Sequence, residues 1–259
     1  MDHKGRIALV CGASKGLGKA CAEALLRDHA EIIICSRDRG NLEAARRDFK
    51  NNYGKDVLAV PCNLSQKKDI RGLFHLLKIK KKPIHILINN TGGPKPGNFF
   101  EVREQDWESA HAQLLLPIVR ILFQAIPIMK AQKFGRIINI TSMTVKEPRE
   151  NLILSNVYRS GVVSLAKTLS RDLAKDNIFI NNVCPGAFNT ERMGQLLKSK
   201  LQPGKSLSDA KKELAKTIPL GRLQEPKELG DVVSFLASEE CTLTGTTIPI
   251  DGGAGRGLF

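Results

Sequence analysis

The sequence predicts an α/β fold, in which helices cover both faces of a doubly wound parallel sheet of seven strands. Short, nearly continuous apolar runs alternate with longer helical patterns along the chain, and this alternation is typical of parallel strands joined by crossover helices. Neither a low-complexity linker nor an internal repeat divides the 259 residues. We therefore expect one domain over 1–259.

The elements follow this alternation in order. The predicted strands are Arg6–Cys11, Glu31–Ser36, Val57–Cys62, Ile84–Asn89, Arg136–Thr141, Ile178–Val183 and Thr247–Ile250. The helical patterns lie near 17–28, 40–51, 66–78, 104–131, 152–175 and 226–237. The least regular stretch, 186–225, follows the sixth strand and contains Pro203-Gly204. Ligands bind at the carboxyl edge that such an insertion overhangs, which favours a mobile substrate lid at about 187–216. A simple surface excursion is the alternative.

Composition narrows the class of protein. Apolar runs stay short of the ~18 residues of a membrane span, and the first residues enter a strand without a signal peptide pattern. The six cysteines have no C-x-x-C spacing, so we expect small apolar core residues in a reduced, cytoplasmic compartment. The five histidines are scattered without metal-ligand spacing. The sequence predicts no metal site.

The chain is strongly basic, with a formal net charge of +14. The runs Lys67-Lys68 and Lys78-Ile79-Lys80-Lys81-Lys82 raise the question of nucleic acid. However, the basic residues are spread along the chain, aromatic residues make up only 5% of it, and no nucleic-acid motif is present. A nucleic-acid partner is therefore disfavoured, and an acidic partner or a polyanionic cofactor explains the charge equally well.

The most informative segment is Ile7–Gly18, where an apolar strand pattern ends in three glycines, Gly12, Gly16 and Gly18. A helical pattern, Lys19 to Arg27, follows at once. This strand–turn–helix arrangement directs backbone N–H groups and a helix N-terminus at a phosphate. An ordinary glycine-rich βα turn is the alternative, but the position at the start of the first βαβ unit favours nucleotide binding.

Five later segments extend this pattern along the chain. They are Cys62-Asn63-Leu64-Ser65, Asn89-Asn90-Thr91-Gly92, Asn181-Asn182-Val183-Cys184-Pro185-Gly186 with Thr190, Gly221-Arg222-Leu223-Gln224-Glu225-Pro226, and Thr244-Gly245 with Asp251-Gly252-Gly253. In this order and spacing they resemble the short-chain dehydrogenase/reductase superfamily over essentially the whole chain. The general pattern is closest to the 3-oxoacyl-[acyl-carrier-protein] reductase-like branch.

The resemblance implies a Rossmann fold, an NAD(P)-dependent oxidoreductase and a small-molecule or acyl-thioester substrate. It also implies a homotetramer or homodimer packed through the helices near 104–131 and 152–175. Together with the glycine loop it gives the candidate cofactor-binding residues Gly12, Ser14, Lys15, Gly16, Leu17, Gly18, Ser36, Arg37, Asn63, Leu64, Asn90, Gly92, Arg159, Pro185, Gly186 and Thr190.

Cofactor choice follows from the end of the second strand. NAD-preferring sites place an acid there to accept from the ribose 2′-hydroxyl, but this chain has Ser36 followed by Arg37. Arg37 can pair with a 2′-phosphate, and Lys15 can approach from the glycine loop. Alternatively, Arg37 begins a solvated loop and Asp38 reduces its effect. We expect NADPH to be preferred over NADH.

The catalytic region departs from the family pattern. The resemblance implies a serine after the fifth strand, which Ser142 matches, and a Tyr-x-x-x-Lys pair on the next helix. In ungapped register Ser155 stands at the tyrosine position and Arg159 at the lysine position, while Leu114 replaces an asparagine of the preceding helix. A serine hydroxyl is a far weaker acid than a phenol, and arginine does not readily release a proton.

Two nearby residues are candidate substitutes for the proton donor. Tyr158 lies about one helical turn beyond Ser155, although packing beside the sheet is the alternative for it. Lys146 follows Ser142 by four residues, and a solvated lysine paired with Glu147 is the alternative there. The sequence thus favours an NADPH-dependent oxidoreductase with a non-standard active site. The alternative function is a catalytically degenerate NADP(H)-binding protein with a structural or sensing role.

Overall fold

Parallel strands alternate with helices in the computed structural model, which describes residues 1–198, 201 and 204–258. The strands are β1 Ile7–Cys11, β2 Glu31–Ser36, β3 Leu58–Pro61, β4 Ile86–Asn90, β5 Gly135–Ile140, β6 Ile178–Pro185 and β7 Thr247–Ile250. The helices are α1 Gly16–Arg27, α2 Arg39–Tyr53, α3 Lys67–Ile79, α4 Glu104–Leu114, α5 Leu116–Gln132, α6 Ile153–Leu173, α7 Glu191–Lys198, α8 Leu207–Lys216 and α9 Pro226–Leu236. Each predicted strand is present, with ends shifted by at most two residues.

The sheet has the order β3-β2-β1-β4-β5-β6-β7, and all of its pairings are parallel. The chain runs outward from β1 through β2 to β3 and then returns to pair β4 with β1. The loops after β1 and β4 therefore separate at the carboxyl edge, which creates the crevice where ligands bind in such sheets. This topology confirms the predicted doubly wound fold.

Apolar side chains of the strands pack on both faces. Ala8 and Val10 of β1 join the core under α1, α2 and α9, whereas Leu9 and Cys11 join the core under α3, α5 and α6. Full burial of a side chain such as Val10 or Leu9 contributes roughly 1.5–3 kcal/mol. The six cysteines are all buried and free. Their predicted role as small core residues is therefore confirmed.

The helical pattern near 104–131 is wrong as one continuous helix. The chain forms α4 and α5 with a break at Leu115, because Pro117 lies in the first turn of α5 and has no N–H to continue the ladder of α4. Within the described residues this stretch, Glu104–Gln132, passes a length-and-hydropathy test for a membrane span. It contains Arg120, whose guanidinium donates to the carbonyl of Ser65 at 3.3 Å. The core helix of a globular protein passes the same test.

The segment predicted to be irregular contains two helices, α7 and α8. Helix α8 begins at a capping box in which the Ser206 hydroxyl accepts from Asp209 N and the Asp209 carboxylate accepts from Ser206 N. The prediction of an irregular lid is thus wrong in secondary structure. Residues 199–200 and 202–203 of the predicted lid, including the proline of Pro203-Gly204, lie outside the described residues.

Candidate nucleotide-binding and active site

The glycine loop after β1 approaches the loop after β4 too closely for side chains. A Cβ on Gly18 would lie 2.3 Å from the carbonyl oxygen of Gly12, and a Cβ on Gly12 would lie 2.7 Å from that of Asn90. The Asn90 amide also donates to the Gly12 carbonyl at 3.1 Å. Gly12 and Gly16 have φ of +58° and +56°, where a side chain is strained. The loop is therefore held open as a bare backbone cradle at the start of α1.

A groove of about 500 Å³ runs along the carboxyl edge from this cradle. The predicted residues that line it are Gly12, Ser14, Lys15, Gly16, Leu17, Ser36, Arg37, Asn63, Leu64, Asn90, Gly92 and Thr190. Gly18 lies behind the loop against Gly12. Arg159, Pro185 and Gly186 do not line this groove and lie toward β5 and β6.

The outer end of the groove is polar and basic. The hydroxyls of Ser14 and Ser36 are 3.0 Å apart, and Arg37 lines the groove beside them. The Asp38 carboxylate caps α2 by accepting from Asn41 N at 2.8 Å, so it serves the helix and forms no ion pair with Arg37. Lys15 forms an ion pair with Glu191 of α7 at 3.0 Å.

The exit from β6 is tied to β7 and to α7. A Cβ on Gly186 would lie 2.7 Å from Asp251 Cα, so the strand can leave the sheet here only without a side chain. The Thr190 hydroxyl accepts from Met193 N at 3.2 Å and caps α7. Its methyl group faces Gly16 across the groove, because a Cβ there would lie 3.7 Å from it. Helix α7 thus begins at the mouth of the glycine loop.

Two of the candidate catalytic hydroxyls share Thr144 as a neighbour. The Ser142 hydroxyl oxygen accepts from Thr144 N at 3.2 Å, and the Thr144 hydroxyl lies 3.1 Å from that of Ser155. Ser142 is half-buried, whereas Ser155 and Thr144 are buried. The bond from Thr144 N leaves the hydroxyl proton of Ser142 available to another acceptor.

Arg159 lies one helical turn after Ser155 and points at the ends of β4 and β5. Its guanidinium donates to the carbonyls of Ile140 and Gly92, each at 3.0 Å. Burial and the nearby charge of Arg192 lower the pKa of Arg159 to about 10. The group therefore stays protonated at neutral pH. A fixed positive charge thus lies at the end of β5, two residues before Ser142 and one helical turn from Ser155.

Tyr158 lies between α4 and α6. Its hydroxyl donates to the carbonyl of Trp107 at 2.9 Å, and its ring contacts those of Trp107 and His111. Burial raises the pKa of this phenol. The position supports the packing alternative, since the hydroxyl proton is already donated. Leu114, at the position of the family asparagine, is buried at the end of α4.

Lys146 is half-buried beyond Ser142. Burial raises the pKa of the neighbouring Cys184 thiol, and the charge of Lys146 is among the effects that oppose this rise. The pairing with Glu147 that the sequence allows is not formed. The Glu147 carboxylate instead accepts from the backbone N–H groups of Arg256 and Gly257 in the C-terminal segment.

Sequence reasoning missed several residues that line the groove. Those from distant elements are Gln113, Glu191, Arg192 and Gln195. Gln113 lies next to Leu114, and the other three belong to α7, which the irregular pattern concealed. For Glu191, Arg192 and Gln195, the only signal in the sequence was that they closely follow Thr190.

Comparisons with known proteins agree with this architecture. A model of the family described as enoyl-(acyl carrier protein) reductase matches residues 12–255. The chain is 30% identical over 256 residues to the NADPH-dependent reductase BacG of Bacillus subtilis (strain 168), a match that covers 98% of this chain and 99% of that protein. It is 28% identical over 251 residues to the 3-oxoacyl-[acyl-carrier-protein] reductase FabG of Aquifex aeolicus (strain VF5), covering 96% and 97%.

A solved structure is similar over nearly the whole fold. The L-sorbose reductase of Gluconobacter frateurii, complexed with NADPH and L-sorbose, has a TM-score of 0.94 at 27% identity, and the match covers 98% of each chain. The family model, the relatives and the fold lead to one conclusion. The chain belongs to the short-chain dehydrogenase/reductase superfamily, in its 3-oxoacyl-[acyl-carrier-protein] reductase-like branch.

Proposed function

We propose that the protein is an NADPH-dependent oxidoreductase that transfers a hydride between the cofactor and a carbonyl or alcohol, with 3-oxoacyl thioesters among its candidate substrates. The observation that carries this proposal is the groove, which joins a bare glycine cradle to Arg37 without an acid at Ser36. A dinucleotide with a 2′-phosphate fits both ends. BacG and the L-sorbose reductase are themselves linked to NADPH.

In this proposal, different residues of the groove bind different parts of the dinucleotide. Backbone N–H groups of the glycine loop and the N-terminus of α1 hold phosphate oxygens. Arg37, Ser14 and Ser36 bind the 2′-phosphate, and Asn63, Leu64, Asn90 and Gly92 border the remainder of the nucleotide. Pro185, Gly186 and Thr190 hold the nicotinamide end. The bound cofactor supplies the hydride.

At the other end of the cleft, the side chains can orient a carbonyl better than they can protonate it. Ser142 has a free hydroxyl proton that it can donate to a substrate oxygen. Its oxygen accepts from Thr144 N, and the Thr144 hydroxyl in turn is within hydrogen-bond distance of the Ser155 hydroxyl. Arg159 holds a positive charge beside the ribose without acting as a shuttle. Neither serine has a neighbour that brings its pKa near neutrality, so we expect slow carbonyl reduction.

The proton then comes from a group outside the family pattern. Tyr158 is poorly placed, since its hydroxyl is bonded to Trp107. Lys146 is the remaining candidate, because its side chain lies near Cys184, whose thiol also accepts from the backbone N–H of Ser142. Water that reaches Ser142 from solvent would serve the same purpose.

A second candidate function rests on the same substitutions. A phenol is missing at position 155, and the Arg159 guanidinium is bonded to two backbone carbonyls. These features also suit a catalytically degenerate NADP(H)-binding protein, in which the bound nucleotide serves structure or sensing. Turnover of NADPH with a panel of carbonyl compounds separates the two candidates.

We further propose a homodimer or homotetramer in the cytoplasm, built from one domain over 1–259. The assembly surface includes α5 and α6, where Phe123 and Val157 are 73% and 45% exposed. These two helices are the ones through which the family resemblance implies assembly, and their exposed apolar side chains would be covered there. In the same proposal the segment 187–216, with α7 and α8, is the substrate lid over the carboxyl edge. Nucleic acid is not among the proposed partners.

The proposed cofactor preference predicts that NADPH binds at least about ten times more tightly than NADH. Each charge-assisted hydrogen bond to the 2′-phosphate is worth ~1.5–3 kcal/mol, and about 1.4 kcal/mol corresponds to tenfold in affinity. Both dissociation constants are measured by cofactor fluorescence at fixed salt. Arg37→Ala should remove most of the difference, and Arg39→Ala, its neighbour outside this groove, serves as the charge-matched control. Equal affinities for the two cofactors in the unmodified protein would reject the proposal.

A further inference from the structure

Arg192 belongs to α7, and its side chain reaches across the inner end of the groove to the loop after β4. A Cβ on Gly93 would lie 1.8 Å from Nη2 of Arg192 and 2.4 Å from its Cζ. The guanidinium therefore rests directly on the backbone of Gly93, in space that exists only because this residue has no side chain. Arg192 also lines the nucleotide groove together with Gly92 and Gln113.

The donors of this guanidinium are not used by the protein. Within residues 1–198, 201 and 204–258, Arg192 forms neither a hydrogen bond to an acceptor nor an ion pair with a carboxylate. Its neighbour Glu191 is directed instead at Lys15, 3.0 Å away on the opposite wall. Arg192 as a whole is exposed, but desolvation of its guanidinium against the Gly93 backbone lowers its pKa. A planar fork of N–H donors thus borders the groove without a partner among the described residues.

A second cation without a carboxylate partner lies beside it. Arg159 donates to the carbonyl of Gly92, next to the glycine on which Arg192 rests. The charge of Arg192 contributes to the lowered pKa of Arg159, after burial itself. The two guanidinium groups therefore repel each other, and an anion that contacts both relieves the repulsion.

We propose that Arg192 and Arg159 form an anion-binding pair at Gly92-Gly93, and that this pair takes one phosphate or carboxylate group. The group is either the pyrophosphate of the nucleotide or a carboxylate of the substrate. This inference rests on the proposed function. It adds Arg192 as a residue that selects ligands by charge at the inner end of the cleft.

The first arm of the test compares nucleotides that differ in the pyrophosphate. If the pair binds the pyrophosphate of the nucleotide, Arg192→Gln weakens NADP⁺ binding about tenfold or more in isothermal titration and leaves adenosine 2′-monophosphate unaffected, because that nucleotide reaches only Arg37. In that case inorganic pyrophosphate, used as a minimal probe, also binds more weakly to the same variant. Arg171→Gln, at an exposed position on the far half of α6, is the charge-matched control.

The second arm places the anion in the substrate. NADP⁺-loaded protein is titrated with phenylpyruvate and with its methyl ester. If the pair binds a substrate carboxylate, Arg192→Gln weakens the acid about tenfold and leaves the ester and NADP⁺ unchanged. Gly93→Ala should reproduce whichever effect is found, because its methyl group occupies the position of the guanidinium.

The outcomes are separable. Unchanged binding of NADP⁺, pyrophosphate and phenylpyruvate in Arg192→Gln overturns the inference, as does tighter NADP⁺ binding, which would mean that Arg192 only obstructs the groove. Failure of the unmodified protein to bind NADP⁺ overturns the proposed function instead, and the pyrophosphate titration then still tests the pair. Thermal unfolding of each variant shows that the fold is retained.

Discussion

The two ends of the cleft differ in how closely they follow the family pattern. At the nucleotide end, close contacts exclude side chains at Gly12 and Gly18, and a positive φ disfavours one at Gly16, so phosphate binding there depends on backbone groups. At the β5–α6 end, the ungapped register that we propose places Ser155 and Arg159 at the positions of the family tyrosine and lysine. The comparison teaches that dinucleotide binding and proton transfer are separable, because one depends on backbone shape and the other on side-chain acidity.

The largest expected effect is the loss of NADPH binding when the glycine cradle is altered. Gly18→Ala should reduce NADPH affinity below detection, because its Cβ would lie 2.3 Å from the Gly12 carbonyl oxygen and would push the loop away from the phosphates. Cofactor fluorescence measures the loss. Gly72→Ala on α3 is the matched control, since a Cβ there meets nothing within 4 Å. If Gly18→Ala folds and binds NADPH normally, the cradle is not the phosphate site.

A gain of reductase activity tests the proposed substitutions at the β5–α6 end. Ser155→Tyr combined with Arg159→Lys should raise the rate of ketone or 3-oxoacyl reduction about 100-fold, the lower range for a positioned general acid. NADPH oxidation followed by absorbance measures the rate.

The control for this gain is Ser142→Ala in the same background, which should lower the rate again because the hydroxyl that orients the substrate is removed. A double variant that binds NADPH but is no faster than the unmodified protein would show that the ungapped register of α6 is wrong or that Leu114 also limits proton supply.

The smallest expected effect concerns the proposed lid. NADPH should slow hydrogen exchange at the amides of α7 and α8, because Thr190 and Glu191 gain contacts near the glycine loop when the groove is filled. Exchange is measured by mass spectrometry with and without the cofactor, and peptides of α2 serve as an internal reference. Equal protection of 187–216 from hydrogen exchange in both states would contradict the proposal that this segment is a lid.

Sequence reasoning succeeded where local patterns are decisive. The strands were predicted because each is a short apolar run buried on both faces, and the cradle because glycine spacing reports backbone approach directly. The helices α7 and α8 were missed because they are short, with 8 and 10 residues. Their apolar residues, Met193, Leu196 and Leu197 in α7 and Leu207, Ala210 and Leu214 in α8, recur at helical spacing, but each helix is shorter than the about 11–18 residues over which such a period is recognised.

The site was predictable only in part for a related reason. Ser142, Ser155 and Arg159 were proposed from the register of the family resemblance, but their partners, Thr144 and the carbonyls of Ile140 and Gly92, depend on the packing of α6 against β5. Arg192 reaches Gly93 from a helix about 100 residues later in the chain. A contact of that kind has no local signature, so it became visible only in three dimensions.

The most direct test of the central claim is the turnover of the unmodified protein at saturating NADPH. The account predicts tight NADPH binding together with slow reduction of every compound in a panel of ketones, 2-oxo acids and 3-oxoacyl thioesters, and a rate that Tyr158→Phe leaves unchanged. Rapid reduction that Tyr158→Phe abolishes would contradict it, because Tyr158 would then be the acid and the catalytic end would not differ in chemistry from the family pattern.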